Sequence, residues 1–259
     1  MRTLIAIPVF NEEKYVNGVL SSVIEFAPGP AKDILVVDDG STDRTAALVE
    51  KFPVQLLRHP RNLGYGASLI DAFDFAAREG YDWVITMDCD EQHEPTRIPL
   101  FVAEQYKSLS EGESGADILS GSRYIASMDE ATTPPADRRA INATLTEEIN
   151  RRIGFDPPLT DAFCGFKSHR VSALRKLRLT EQGYAFPMQF WVQAAAAGLK
   201  VAEVPVKLIY KDLTRSFGGA LNDPAARLAH YRKVLHCEIE RFRDKLPTLA
   251  GAGSMCGCD

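Results

Sequence analysis

Two aspartates spaced two apart, in Met87-Asp88-Cys89-Asp90-Glu91-Gln92-His93, follow directly on an apolar run that starts at Trp83. Carboxylates crowded at the end of a buried strand repel one another, and a divalent cation bridging to a diphosphate relieves that repulsion. The same residues could also cap the next helix from a solvated loop, so Asp-x-Asp by itself does not choose. A second acidic pair, Asp38-Asp39, closes the apolar run through Val36-Val37 and leads into Gly40-Ser41-Thr42-Asp43. A third polar group, Asn11-Glu12, follows Pro8-Val9-Phe10. Three strand ends would deliver these groups to one edge of a sheet, where open α/β folds bind ligands. Asn62-Leu63-Gly64-Tyr65-Gly66-Ala67 adds a glycine-bearing helix start with two readings. Its backbone N–H groups could approach a ligand, or its small residues could let helix and sheet pack closely.

The elements that must position these residues follow from alternating apolar runs and helical patterns, the mark of βα units. Strands are expected at 3–8, 33–38, 54–58, 83–88 and 117–121, with helices near 12–26, 43–52, 64–79 and 95–107. In the first helix Val16, Val19, Leu20 and Val23 fall at i, i+3, i+4 and i+7, one face that packs on a sheet. The stretch 126–136, rich in small, polar and proline residues, reads as a mobile loop beside the site. Beyond it come a helix at 137–153, a strand or turn at 162–169, a helix at 187–197 and a strand pair over 199–210 bent at Pro205. Asn222-Asp223-Pro224 then offers an N-cap and a first-turn proline, and Leu228, Tyr231, Leu235, Ile239, Phe242 and Leu246 recur at helical spacing. The apolar stripe of that C-terminal helix has three candidate burials: the domain itself, a homodimer, or a bilayer interface. From Pro247 onward the chain reads as a frayed tail.

Composition narrows the class. A chain of 259 residues, 45% hydrophobic and 25% charged, closes one large α/β core. The formal charge of −5 speaks against nucleic acid as a partner. Residues 206–246 nevertheless carry nine Lys or Arg against five Asp or Glu, a local excess that suits phosphates, an anionic membrane surface or a plain solvated face. No run reaches the roughly 18 apolar residues of a spanning helix, and the start has no signal-peptide pattern, so the expected location is cytoplasmic. The cysteines, five in number, read as reduced thiols, and Cys256-Gly-Cys258 supplies too few ligands for a metal site. Neither Gly-x-Gly-x-x-Gly after the first strand nor a Walker lysine is present, which disfavours a nicotinamide enzyme or a P-loop ATPase.

Taken together, the motifs resemble the family-2 glycosyltransferases of GT-A fold, and within them the dolichol-phosphate or polyprenyl-phosphate mannose synthase branch. The resemblance spans roughly residues 3–216 and rests on Pro8-Val9-Phe10-Asn11-Glu12, Asp38-Asp39-Gly40-Ser41-x-Asp43-x-Thr45, Asn62-x-Gly64-x-Gly66-Ala67 and Met87-Asp88-x-Asp90-x-Gln92-His93-x-Pro95. Gly121-Ser122-Arg123-Tyr124, Asp161-x-x-x-Gly165-Phe166-Lys167 and Glu203-Val204-Pro205-Val206 continue it in the same order. It implies a Rossmann-like, mixed but mostly parallel sheet flanked by helices. The implied division is a GT-A domain over 1–214, with a nucleotide-sugar half to about 122 and an acceptor half from 123, then a helical extension and tail over 215–259.

The resemblance further implies an inverting, metal-dependent hexosyltransferase, mannose or glucose favoured. Pro8, Phe10, Glu12, Val37 and Asp39 would line the nucleotide pocket of a GDP- or UDP-sugar, with Asp39 reading the base or holding the ribose. Asp88 and Asp90, helped by Gln92 and flanking Cys89, would hold Mg²⁺ or Mn²⁺ on the diphosphate. Arg123 would meet the donor phosphates or the acceptor, and Lys211 falls where the synthases carry a phosphate-binding arginine. Two departures stand out: Phe10 replaces the usual tyrosine, and Ser216-Phe217 replaces a Ser-Lys pair, with Arg215 one position earlier as the substitute cation.

The departing diphosphate gains about two negative charges, which a metal and cationic side chains must neutralise. A hydroxyl acceptor would also need a general base, whereas a phosphate monoester is already anionic. Asp161 is the candidate base or acceptor-orienting residue, with a plain turn-forming role as the alternative. His93 reads as support for the acidic motif rather than as a catalytic group, and His59 as a surface or packing residue. Phe186, Met188, Phe190 and Trp191 read as core before lipid groove. A polyprenyl phosphate at the membrane surface is the leading acceptor; a soluble hydroxyl acceptor, or a sugar-nucleotide-binding protein without turnover, are the alternatives. A nucleotidyltransferase would need a Gly-rich activation loop after the first strand, where this chain has Asn-Glu-Glu.

Overall fold

A computed structural model describes residues 1–125, 132–210 and 217–247. Seven strands form one sheet in the order β3-β2-β1-β4-β6-β5-β7. They are β1 (Thr3–Val9), β2 (Ile34–Asp38), β3 (Gln55–Arg58), β4 (Trp83–Thr86), β5 (Ile118–Ser122), β6 (Lys167–Arg170) and β7 (Val201–Pro205). Only β6 runs against its neighbours β4 and β5; the remaining pairings are parallel. β1 lies between β2 and β4, so the chain reverses its direction of travel across the sheet there and leaves a crevice at the carboxyl ends of the three. The acidic motifs sit at those ends.

The central strands read as unbroken apolar runs because helices cover both faces. Leu4, Ala6, Leu35, Val37 and Val84 point into one apolar cluster. Ile5, Ile7, Ile34, Val36 and Ile85, their neighbours in sequence, point into the other. On the second face α1 (Val16–Phe26) buries Val16, Val19, Leu20 and Val23, the predicted stripe. At about 2 kcal/mol for each fully buried aliphatic side chain, that stripe outweighs the modest propensity of a valine-rich helix. α2 (Thr45–Val49) and α4 (Ile98–Ser110) complete that side. The other face carries α3 (Tyr65–Arg78), α5 (Ala136–Ile153), the short α6 (Val171–Leu174), α7 (Phe186–Ala196) and α8 (Pro224–Arg241).

One expectation changes and one open choice is decided. The strand pair over 199–210 is a single strand, because β7 is the sheet edge and Pro205 ends its pairing. Residues beyond it turn to the 132 region instead: Thr132 N–H donates to the Leu208 carbonyl at 2.8 Å and Tyr210 N–H to Thr132 Oγ1 at 2.6 Å. The C-terminal helix starts as read, with Asp223 accepting from Ala226 N–H at 2.7 Å. Its stripe is covered by the domain: Tyr231, Leu235 and Ile239 are buried in the cluster that includes α7, and Leu228, Phe242 and Leu246 pack against it. Glu238 lies on the same stripe, accepting from Gln189 and Gln193 of α7 at 3.0 and 3.1 Å. Among the described residues no helix is long and apolar enough to cross a membrane. The loop expected at 126–136 falls mostly, and Lys211, Arg215, Ser216 and the Cys256-Gly-Cys258 tail wholly, outside the described residues.

Candidate active site

A cavity of about 600 Å³ opens at the carboxyl ends of β1, β2 and β4. Of the residues singled out in the sequence, Pro8, Phe10, Glu12 and Asp39 line it. Asp88, Cys89, Asp90, Gln92 and Arg123 line it as well. Val37 does not. It is fully buried in the cluster with Leu35 and Val84, because it lies inside β2 in the apolar layer, whereas Asp39 comes after the last residue of the strand, where the chain leaves the sheet at the cavity.

The first two loops are knitted together by short polar side chains. Asn11, in left-handed conformation at φ 56°, accepts from Thr42 N–H at 2.8 Å, and Glu12 N–H donates to Thr45 Oγ1 at 2.7 Å. Asp38 turns inward to Ser41 N–H and Arg58. Asp39 accepts from Leu63 N–H at 2.7 Å, Gly64 N–H at 2.9 Å and His59 Nδ1 at 2.7 Å, so three of a carboxylate's roughly four acceptor positions are used within the protein. The glycines of the α3 start serve packing: a Cβ on Gly64 would lie 2.3 Å from the Gln182 carbonyl oxygen, and one on Gly66 2.2 Å from that of Glu181.

His59, read from sequence as a surface or packing residue, bridges Asp39 and Asp71 at 2.7 and 2.8 Å. Both partners only accept, so an imidazolium satisfies both at once. Burial opposes its charge, the two carboxylates outweigh burial, and its pKa is raised above 6.5. A raised pKa stabilises the fold fully below the unfolded value and less as pH climbs through the folded one. The urea midpoint difference between the native protein and His59→Gln is therefore expected to be largest below pH 6.5 and to shrink as pH rises above it. A difference that is flat or grows with pH would contradict the imidazolium bridge.

At the end of β4 the acidic motif is set by its neighbours. Asp88 N–H donates to His93 Nδ1 at 2.9 Å, and the Tyr65 hydroxyl donates to Asp88 Oδ1 at 3.0 Å. Burial lowers the His93 pKa to about 4, which leaves a neutral ring as the acceptor. Burial and the Asp88 charge raise the Tyr65 pKa well above 10, which keeps its donor proton in place. Asp90 Oδ1 accepts from Gln92 N–H at 3.1 Å across Glu91, which holds φ at 58°. A non-glycine residue there is uncommon and marks a loop held in shape by its surroundings. Two carboxylates and an amide are hard oxygen donors suited to Mg²⁺ or Mn²⁺. Among the described residues no group of three or more His, Cys, Asp or Glu is placed to hold a metal. Two carboxylates and an amide would suit a cation that completes its shell with ligand phosphate oxygens, as Mg²⁺ commonly does.

Across the cavity Arg123 leaves β5. Its Nε donates to Asp161 Oδ2 at 2.6 Å and its Nη2 to Oδ1 at 2.9 Å. Asp161 is fully buried and also accepts from Asn142 Nδ2 at 2.8 Å and from the N–H groups of Phe163 and Cys164, both at 3.2 Å. Burial would raise its pKa, but the Arg123 charge and these bonds win and lower it to about 2. Of the roles expected for Asp161, this geometry favours the orienting and turn-forming ones over a general base: the carboxylate accepts from several donors and is weakly basic. What it does is hold Arg123 and shape the 161–164 turn. Glu203 of β7 fixes that turn from behind, accepting from Thr160 N–H at 3.0 Å and Asp161 N–H at 3.2 Å.

Sequence reasoning missed Arg138 and Arg227, which also line the cavity. Their guanidinium groups lie 5.0 and 4.3 Å from the centre of the Phe217 ring, and buried Arg227 pairs with Asp137. A signal existed: Arg227 is four residues before Tyr231, on the stripe of α8 that is otherwise apolar. Phe186, Met188, Phe190 and Trp191 are core, with 4% exposure or less. The apolar wall of the cavity comes from Ile141, Phe163, Tyr184, Phe217 and Tyr231.

A cavity of this size at the switch point of a mixed α/β sheet, lined by an Asp-x-Asp motif, fits a glycosyltransferase of GT-A fold. A sequence-family model described as Glycosyl transferase family 2 matches residues 4–178, and the chain belongs to that family. It is 28% identical over 221 residues to a polyprenol monophosphomannose synthase of Mycolicibacterium smegmatis, covering 82% of this chain and 79% of that one. It is 27% identical over 253 residues to an undecaprenyl-phosphate mannosyltransferase of Micrococcus luteus, covering 94% and 99%. Among solved structures, the glucosyl-3-phosphoglycerate synthase of Mycobacterium tuberculosis in complex with Mn²⁺, UDP and glucosyl-3-phosphoglycerate shares the fold, with a TM-score of 0.67 and 17% identity over 98% of this chain and 83% of that one.

Proposed function

We propose that the chain transfers a hexose, mannose first, from a GDP- or UDP-sugar to a polyprenyl phosphate with inversion at C1, working at a membrane surface. One observation carries this reading. A single cavity combines the Asp88 and Asp90 carboxylates with a trio of arginines, Arg123, Arg138 and Arg227, and an aromatic wall. Two anionic phosphate groups and an apolar chain are what such a lining would accept. The names of the two relatives above support mannose and a lipid phosphate.

In this reading Pro8, Phe10, Glu12 and Asp39 hold the nucleoside. Asp88, Asp90 and Gln92 would hold Mg²⁺ or Mn²⁺, which when bound neutralises charge on the leaving diphosphate. Arg123, kept in place by Asp161, orients the acceptor phosphate together with Arg138. An oxygen of that phosphate attacks C1 as the C1–O bond to the diphosphate breaks, and the nucleoside diphosphate leaves with the bonding pair. The nucleophile is already ionised near neutral pH, so no base is required, which agrees with the saturated state of Asp161.

The test is a panel of GDP-mannose, GDP-glucose, UDP-glucose and UDP-N-acetylglucosamine with Mn²⁺ or with EDTA, offered a short-chain polyprenyl phosphate or 3-phosphoglycerate, with product anomers read by NMR. The expected result is one donor consumed, only with metal and the lipid phosphate, to give the inverted anomer. Transfer to 3-phosphoglycerate alone would replace the acceptor assignment with the soluble hydroxyl reading. Binding of donors without transfer to either would point to a non-catalytic protein.

A further inference from the structure

Asp88 is gripped by groups that lie far from it in sequence. The Tyr65 hydroxyl donates to Oδ1 at 3.0 Å. Gly165 closes on the other oxygen so tightly that a Cβ there would stand 2.6 Å from Oδ2 and 3.0 Å from the Tyr65 hydroxyl. Tyr65 is the first residue of α3 and is itself well fixed. Its ring stacks on Tyr184 at 5.9 Å and 15°, and two residues on Ala67 N–H donates to the Gln182 carbonyl at 3.1 Å. The 180–181 segment is fastened in turn to α7, where Gln189 Oε1 accepts from the N–H groups of Thr180 and Glu181 at 2.6 and 2.7 Å. Gln189 then donates to Glu238 of α8.

We propose that Tyr65 is a positioning residue for cation binding: its hydroxyl, opposed by Gly165, fixes the rotation of the Asp88 carboxylate before a divalent cation and a nucleotide arrive. The inference rests on the reading of Asp88 and Asp90 as cation ligands. A carboxylate free to rotate about its last bond must be ordered on binding, and that cost falls on cation affinity. Fixed in advance, it costs little. Glycine at 165 leaves room for the carboxylate, and tyrosine at 65 supplies the hydroxyl proton that Oδ1 accepts.

Tyr65→Phe keeps the ring and its stack while deleting the donor. Free Mn²⁺ measured by electron paramagnetic resonance, titrated into protein saturated with GDP or UDP, is expected to show affinity weaker by about 10- to 100-fold in the variant. In turnover, the apparent Mn²⁺ requirement should rise by the same factor while kcat returns close to the native value at saturating Mn²⁺. A role in folding alone would lower the thermal midpoint and kcat without moving the Mn²⁺ affinity. Equal Mn²⁺ affinity in native protein and variant overturns the proposal and leaves the cation reading intact. Native protein that takes up no Mn²⁺ beyond the nucleotide's own share overturns both.

Discussion

Asp90→Asn is expected to lower kcat/KM for sugar transfer by roughly a thousandfold, about 4 kcal/mol of transition-state stabilisation. The size follows from where the charge develops. Cleavage at C1 leaves a diphosphate with extra negative charge, and preorganised positive charge in a water-poor site is commonly the largest stabilising contribution to such a step. Asparagine has nearly the shape of aspartate and can still accept the 3.1 Å bond from Gln92 N–H, so the loop across Glu91 is retained. The substitution also removes one of two neighbouring anions. Thermal unfolding should therefore stay at or above the native midpoint while Mn²⁺ uptake and turnover collapse together. Turnover within tenfold of native, measured at saturating donor and Mn²⁺, would exclude Asp90 from this role.

Asp161→Asn is expected to cost about 3–5 kcal/mol of stability and to reduce turnover at least a hundredfold, for a reason unrelated to proton transfer. The amide cannot match both Arg123 donors, and it leaves a guanidinium largely buried without its counter-charge. Replacing both partners, Arg123→Met with Asp161→Asn, should recover most of the stability and none of the activity, because a neutral pair of similar volume tolerates burial. A double variant as unstable as the single one would show that the turn bonds to Phe163 and Cys164 dominate. The same ion pair sets an acid limit. With its pKa lowered from 3.8 to about 2, Asp161 stabilises the fold above the unfolded value and loses that contribution as pH falls through the folded one. The share is about 2 kcal/mol, at work above pH 4 and gone below about pH 2. Acid unfolding curves of the native protein and the double variant should converge in that window.

How much of this was legible in the sequence varies with the physical range of the signal. The burial of Val16, Val19, Leu20 and Val23 was readable because helical periodicity is local. So was the start of α8, since Asp223-Pro224 is a cap and a first-turn proline in adjacent positions. The strand pair over 199–210 was misread because pairing depends on whether a neighbour exists, and among the described residues β7 has none on its outer side. Val37 was placed in the pocket by the family resemblance, yet it lies within β2 and is covered by the apolar cluster, while Asp39 lies beyond the strand end. Arg138 and Arg227 escaped notice because nothing near them in the chain shows that α5 and α8 converge on Phe217.

By itself the sequence determined the family, the βα rhythm and the identity of the acidic residues at the strand ends, since each of these is written in residue types at short, fixed spacing. Only the tertiary structure decided what those residues do to one another. It made Asp161 the partner of Arg123, made His59 a bridge between Asp39 and Asp71, and brought Tyr65 and Gly165 to either oxygen of Asp88. Protonation state and ligand geometry depend on charges and donors a few ångströms away in space, and those neighbours arrive from anywhere along the chain.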